Sequence, residues 1–251
     1  METATGHRPN IEIAGDPESL ANKTVDLFIA AARQAIQAND VFYAAISGGH
    51  TPRRFFELLG EQTEAVSLPW GKIQVFWVDE RYVPPDSPHS NYRLAADTFL
   101  GKVAIPAANI HRIPTEYEDI KAAARCYEKT IRKVFGLGRR GIPRFDLVVL
   151  GMGADGHTGS LFPNSYAPFD TEDLACVVYA FGDTLNRVTL THPVLQAASR
   201  LAVLVCGPEK AHILKEVLTS EPDEVHYPIH VLWPVLDKVI WLVDSAAAGA
   251  I

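Results

Sequence analysis

Asp155 and His157, separated by one glycine, are the residues of this chain best suited to moving a proton near neutral pH. They lie in the run FDLVVLGMGADGHTGSLFP, residues 145–163. An apolar strand-like stretch, 145–150, empties into the glycine turn Gly151-Met152-Gly153, which delivers the Asp and the His. A helix-like segment carrying Ser160 follows. In an open α/β sheet, ligands bind where strand carboxyl ends meet such turns, and glycines let the backbone approach a ligand closely. An Asp at such a turn also serves as a helix cap, but capping does not call for a His.

Three further stretches place polar, glycine or charged residues at a strand end. In SGGHTP, 47–52, a strand gives way to Gly48 and Gly49 and then a helix. Free N–H groups at that helix start, with the Ser47 and Thr51 hydroxyls, form a ready anion site. No Lys follows the glycines, so this is not a nucleotide P-loop. In VDERYVP, 78–84, Asp79 and Arg81 can orient a substrate, whereas Glu80 reads as part of a structural ion-pair cluster. In GPEK, 207–210, Lys210 stands in the first turn of a helix, where its charge opposes the helix dipole. An anion held between the lysine and the helix start would resolve that conflict.

Composition narrows the partners. The chain has 251 residues, of which 47% are hydrophobic and 21% charged, and a net charge of −7. This is the composition of a soluble globular protein long enough to bury a sizeable core. The negative balance argues against a nucleic-acid partner but leaves room for an anionic small substrate in a local positive pocket. Cys126, Cys176 and Cys206 are widely spaced, and the last two sit in apolar strand-like runs. They read as buried thiols in a reducing compartment, not as a disulfide framework or a zinc site. No apolar stretch is long enough to cross a bilayer, and the first ten residues lack a signal-peptide apolar region. A cytoplasmic location with no membrane partner is therefore expected. Oligomeric state is left open, a monomer included.

Strand and helix patterns alternate along the whole chain. Residues 17–38 place Leu20, Leu27, Phe28, Ala31 and Ala35 near one helical face, with Asp16 as the cap. Strands are expected at 41–46, 73–78, 145–150, 174–181, 200–206 and 239–243. Helices are expected at 52–59, 91–100, 119–135 and 208–218. Near-continuous apolar strands separated by helices imply one parallel sheet covered on both faces. The looser stretches 84–88, 136–143 and 163–173 read as surface loops within a single domain, 1–251.

Taken together, SGGHTP, VDERYVPPDSPHSNYRL, GMGADGHTGSLFP, NRVTLT and GPEK resemble, in that order, the 6-phosphogluconolactonase family. That family sits within a wider group that includes glucosamine-6-phosphate deaminase. The resemblance implies a three-layer α/β/α fold with a mostly parallel, Rossmann-like sheet. It also implies hydrolysis of 6-phospho-D-glucono-1,5-lactone, the second step of the oxidative pentose phosphate pathway, with no organic cofactor and no metal. The deaminase branch resembles a different pattern, with a Glu shortly after the His and a Tyr at the position of Arg81. This chain has Phe162 near the place of that Glu. Gly159 replaces the more usual Ala, which would loosen a local helix slightly, and His50 replaces a Ser, so no role is carried to it.

A δ-lactone is an activated ester, so a positioned base and a water suffice. On this reading His157 is the base, and Asp155 either holds it or binds substrate hydroxyls. Arg81 and the backbone around Gly153 face the oxyanion. The phosphate lies at the other end, on Gly48, Gly49 and Thr51, with charge from Arg187 and Lys210. Ser160 lacks the Gly-x-Ser-x-Gly elbow of a nucleophile. His192, from its strand-end position, is a further candidate for the pocket. His7 reads as part of a mobile tail, and His89, His111, His212, His226 and His230 lack metal-ligand spacing. The four tryptophans at 70, 77, 233 and 241 read as core. Two other functions share the fold: isomerisation or deamination of an amino-sugar phosphate, against which the missing Glu weighs, and non-enzymatic sensing of a sugar phosphate.

Overall fold

The computed structural model describes residues 9–179 and 185–251. His7 and the last two residues of the strand expected at 174–181 lie outside the described residues.

Seven strands form one parallel sheet: β1 (Asn10–Ala14), β2 (Phe42–Ile46), β3 (Ile73–Trp77), β5 (Ile110–His111), β6 (Leu147–Gly151), β9 (Leu201–Val205) and β10 (Val239–Asp244). Their spatial order is β1-β10-β9-β6-β2-β3-β5. All described pairings in this sheet are parallel. The central strands are buried along their length, β9 at every residue, which is why they read as unbroken apolar runs. From β2 the chain builds outward through β3 and β5, then crosses back to β6 and builds outward through β9 and β10. The crevice between the carboxyl ends of β2 and β6 is therefore the topological switch point, where open α/β sheets bind ligands.

The helices are α1 (Pro17–Asn39), α2 (His50–Leu59), α3 (Thr63–Val66), α4 (Asn91–Ala95), α5 (Ile120–Val134), α6 (His192–Ala197) and α7 (Ala211–Thr219). Asp16 caps α1 as expected, accepting from the Ser19 N–H at 2.7 Å. In α5 the buried residues Ile120, Ala123, Ala124, Tyr127 and Ile131 recur at helical spacing. The Tyr127 hydroxyl donates to the Trp77 carbonyl at 2.6 Å and accepts from its N–H at 3.0 Å. One helix thus pins the end of the strand that leads into the site. The four tryptophans are core, between 0% and 7% exposed.

Three strands leave the main sheet. The antiparallel set β4 (Asp79–Arg81), β8 (Arg187–Leu190) and β7 (Ala175–Val178) forms a second sheet of order β4-β8-β7. The apolar run at 174–181 was expected in the parallel sheet. It pairs with β8 instead, because loop and one 3-10 turn, Ala167–Phe169, are all that separate it from β6, and no α-helical crossover brings it back in parallel. The switch between sheets takes a single residue, Val78. Its N–H donates to the Ile46 carbonyl at 2.9 Å, and its own carbonyl accepts from the Leu190 N–H at 2.7 Å.

Candidate active site

The cleft at the switch point has a volume of about 330 Å³ and is lined by both sheets. From the parallel sheet come Ser47, Gly48, Gly49 and Thr51 after β2, Gly153 and His157 after β6, and Lys210 after β9. From the small sheet come Asp79, Arg81 and Arg187. Of the eleven residues expected to make the site, ten line this cleft; Asp155, an exposed residue, does not line it but contacts His157, which does.

His157 Nδ1 lies 2.5 Å from Asp155 Oδ1, which also accepts the His157 backbone N–H at 3.2 Å. Nδ1–H therefore donates to the carboxylate, leaving Nε2 as the acceptor of the imidazole. Burial pushes the Asp155 carboxyl up, but the hydrogen bonds and charge of His157 outweigh it and hold the group below its ordinary value. The Phe162 ring packs against the imidazole, centroids 4.6 Å apart and the planes tilted by 46°.

The turn depends on its glycines. Gly156 and Gly159 have φ of 79° and 54°, in the left-handed region that other residues rarely adopt. The expected helix after His157 is absent. Residues 158–161 form a tight turn closed by the Thr158–Leu161 bridge, so Gly159 fits its conformation and loosens no helix. Gly153 corrects a second expectation. Its N–H donates to the His157 carbonyl at 2.8 Å, so it has no proton to offer an oxyanion. Its importance is space: a methyl group there would lie 2.0 Å from His157 Nδ1 and 2.5 Å from Asp155 Oδ1.

At the β2 end, Gly49 precedes α2 with φ of 110°, and no side chain caps that helix. His50 and Thr51, the first residues of the helix, line the cleft, the position an anion site at a helix start requires. In β4, alternation sends Asp79 and Arg81 to the cleft and Glu80 to the opposite face. Glu80 is 2% exposed and accepts from the Asn91, Tyr92 and Arg81 N–H groups and the Ser90 hydroxyl. The ion-pair cluster expected for it is instead a hydrogen-bonded carboxylate under the start of α4, and burial raises its pKa.

Asp79 accepts from the Ser160 hydroxyl at 2.7 Å, and Ser160 is fully buried. That is a supporting position, inaccessible to any substrate. Arg81 and Arg187 are register partners across β4 and β8. The two arginines, expected to serve opposite ends of a substrate, are thus neighbours across one strand pair. Each guanidinium has a buried Nε without a hydrogen-bond partner. Arg81 donates to the His89 carbonyl at 2.8 Å, and Arg187 lies over the Phe162 ring at 5.3 Å. Burial lowers the Arg187 pKa, yet a guanidinium stays cationic. Like charges directly opposite in a sheet destabilise it, and an anion between them relieves that cost.

His192 lines a separate cleft with Phe169, Thr171 and Gln196 and does not reach this one. His50 does line it. Asn91 and Phe162 also belong to the wall; both lie inside the motifs, but only folding shows what they face. Among the described residues, no three His, Cys, Asp or Glu side chains are grouped to hold a metal ion.

The family model described as glucosamine-6-phosphate isomerases/6-phosphogluconolactonase matches residues 15–241. A 6-phosphogluconolactonase of Nostoc sp. is 37% identical over 243 residues, covering 97% of this chain and 98% of the relative. The crystal structure of 6-phosphogluconolactonase from Leishmania guyanensis superposes with a TM-score of 0.83 at 27% identity, covering 98% and 99% of the two chains. A monomeric glucosamine-6-phosphate deaminase shares the fold, with a TM-score of 0.80 at 17% identity over 96% and 100%. The cleft, its motifs and these likenesses agree: the chain belongs to the glucosamine-6-phosphate isomerase/6-phosphogluconolactonase family.

Proposed function

We propose that the chain hydrolyses 6-phospho-D-glucono-1,5-lactone to 6-phospho-D-gluconate, in the oxidative pentose phosphate pathway, with His157 as general base. The observation that carries this reading is the Asp155–His157 pair at the mouth of a cation-lined cleft. With Nδ1–H held by Asp155, Nε2 takes a proton from water as its oxygen attacks the lactone carbonyl carbon. The tetrahedral oxyanion is met by Arg81. It collapses by breaking the ring C–O bond, and the leaving ring oxygen takes the proton back from the imidazolium. The new carboxylic acid then loses its own proton to solvent.

Asp79 accepts hydrogen bonds from sugar hydroxyls. The open start of α2, with Ser47, Gly48, Gly49 and Thr51, binds the phosphate, and Arg187 and Lys210 supply its counter-charge. Gly153 leaves room for the base. Phe162 favours the lactonase over the deaminase branch, because it puts an apolar ring against the imidazole where the other branch resembles a pattern with a carboxylate. The named relatives are lactonases, which supports the same choice.

The test is an assay with freshly generated lactone, corrected for spontaneous hydrolysis. The parent should accelerate ring opening, and His157→Asn should lose roughly 10²–10⁴-fold of that rate. Near-normal turnover by the folded variant would remove His157 from the role of base.

A further inference from the structure

Asn91, the first residue of α4, touches both halves of the cleft. Its backbone N–H donates to Glu80 Oε1 at 2.7 Å, and its side-chain Nδ2 donates to the Asp79 carbonyl at 2.9 Å. The carboxamide is thereby fixed in rotation, and its oxygen is turned onto Gly48. A methyl group built on Gly48 would lie 2.0 Å from Asn91 Oδ1 and 2.2 Å from its Cγ. Gly48 thus rests directly on the amide.

Folding alone gives little reason for an amide here. Ser90 already caps α4, accepting from the Arg93 N–H at 3.1 Å. Asn91 is 2% exposed, and its Oδ1 has no hydrogen-bond partner. An orphaned buried acceptor destabilises a fold. What the amide does touch is functional on both sides: the backbone of Asp79, and the glycine turn that leads into α2. That turn has no side-chain cap of its own.

We propose that Asn91 is a positioning residue for the anion-gripping turn. Pinned to Asp79, it sets where Gly48 and Gly49 stand relative to the Asp79–Arg81 face, and so governs capture of the substrate's phosphate. The proposal rests on the reading above, in which the phosphate of the lactone lies on this turn.

The experiment compares the parent, Asn91→Ala and Asn91→Ser on the phosphorylated lactone and on unphosphorylated gluconolactone, with calorimetric binding of inorganic phosphate in parallel. Both variants should raise KM for the phosphorylated lactone about tenfold, with a smaller change in kcat. The preference for the phosphorylated over the plain lactone should fall by the same factor, and phosphate binding should weaken with it. Asn91→Ser keeps a polar residue at the helix start, so it reports even where Asn91→Ala folds poorly. Gly48→Ala should lose phosphate binding by collision with the amide, and G48A/N91A should recover part of it. An unchanged lactone preference in both variants, or a double variant no better than G48A, would overturn the positioning role. A parent that binds phosphate without opening the lactone would sink the hydrolase reading instead, and weaker phosphate binding by N91A would still support the role of Asn91.

Discussion

In the proposed mechanism His157 acts as a base through Nε2, and Asp155, 2.5 Å from Nδ1, holds the other nitrogen. The phosphate end is equally a matter of single side chains. Arg187→Ala and Lys210→Ala should each cost roughly 2–3 kcal/mol in kcat/KM for the phosphorylated lactone, as for loss of a charge-assisted contact in a pocket. Unphosphorylated gluconolactone should separate parent from variants far less. Equal efficiency of the parent on both lactones would leave the assigned phosphate site without a basis. At this scale the sequence was most informative where chemistry is local: Asp155, Gly156 and His157 are neighbours in the chain and remain so in space. It was silent where partners come from afar. Nothing in GHTGS tells that Ser160 turns inward to Asp79, 81 positions away. The backbone around Gly153 is expected to face the oxyanion, but the Gly153 N–H itself closes the turn on His157.

The elements tell a similar story. Long buried strands and amphipathic helices were legible from periodicity. Short edge strands were not: β1 has a mixed, half-exposed pattern and β5 spans two residues, so neither stands out from a loop. Yet β5 carries a group that matters for stability. His111 stacks on Phe76 at 4.4 Å, its Nε2 lies 2.7 Å from Gln74 Oε1, and burial pulls its pKa down from 6.5 to about 4. His230, fully buried under α7, is shifted in the same direction by burial. Both are neutral in the fold and become charged more readily in the unfolded chain. Their contribution is therefore complete above about pH 6.5 and is lost progressively as the pH falls toward 4. Tm should decline from about pH 7 to pH 5, and the decline should be shallower in His111→Gln. Parallel slopes for parent and variant would show that His111 does not titrate with unfolding.

For the molecule as a whole, alternation of strand and helix was enough to give the three-layer architecture, and the switch point then located the cleft between β2 and β6. The second sheet escaped because the departure is so brief. Nothing in the apolar run from Ile73 to Val78 marks the residue at which the chain changes sheets. Arg187 to Leu190 reads as a motif before it reads as a strand. Three residues of the candidate site nevertheless depend on that departure, since Asp79, Arg81 and Arg187 stand on the small sheet while His157 and the glycine turn stand on the large one.

Val78 belongs to both sheets at once, its N–H donating to Ile46 and its carbonyl accepting from Leu190. Proton exchange with deuterated solvent at these two amides should therefore follow one and the same opening event. The Val78 and Leu190 N–H groups should show matching protection factors, well above those of β1 at the sheet edge. Faster exchange at Leu190 alone would mean that the small sheet can swing free of the large one. If the two exchange together, the proposed base and the cation wall move as a unit, and the distance a lactone would have to span between them is fixed before it arrives.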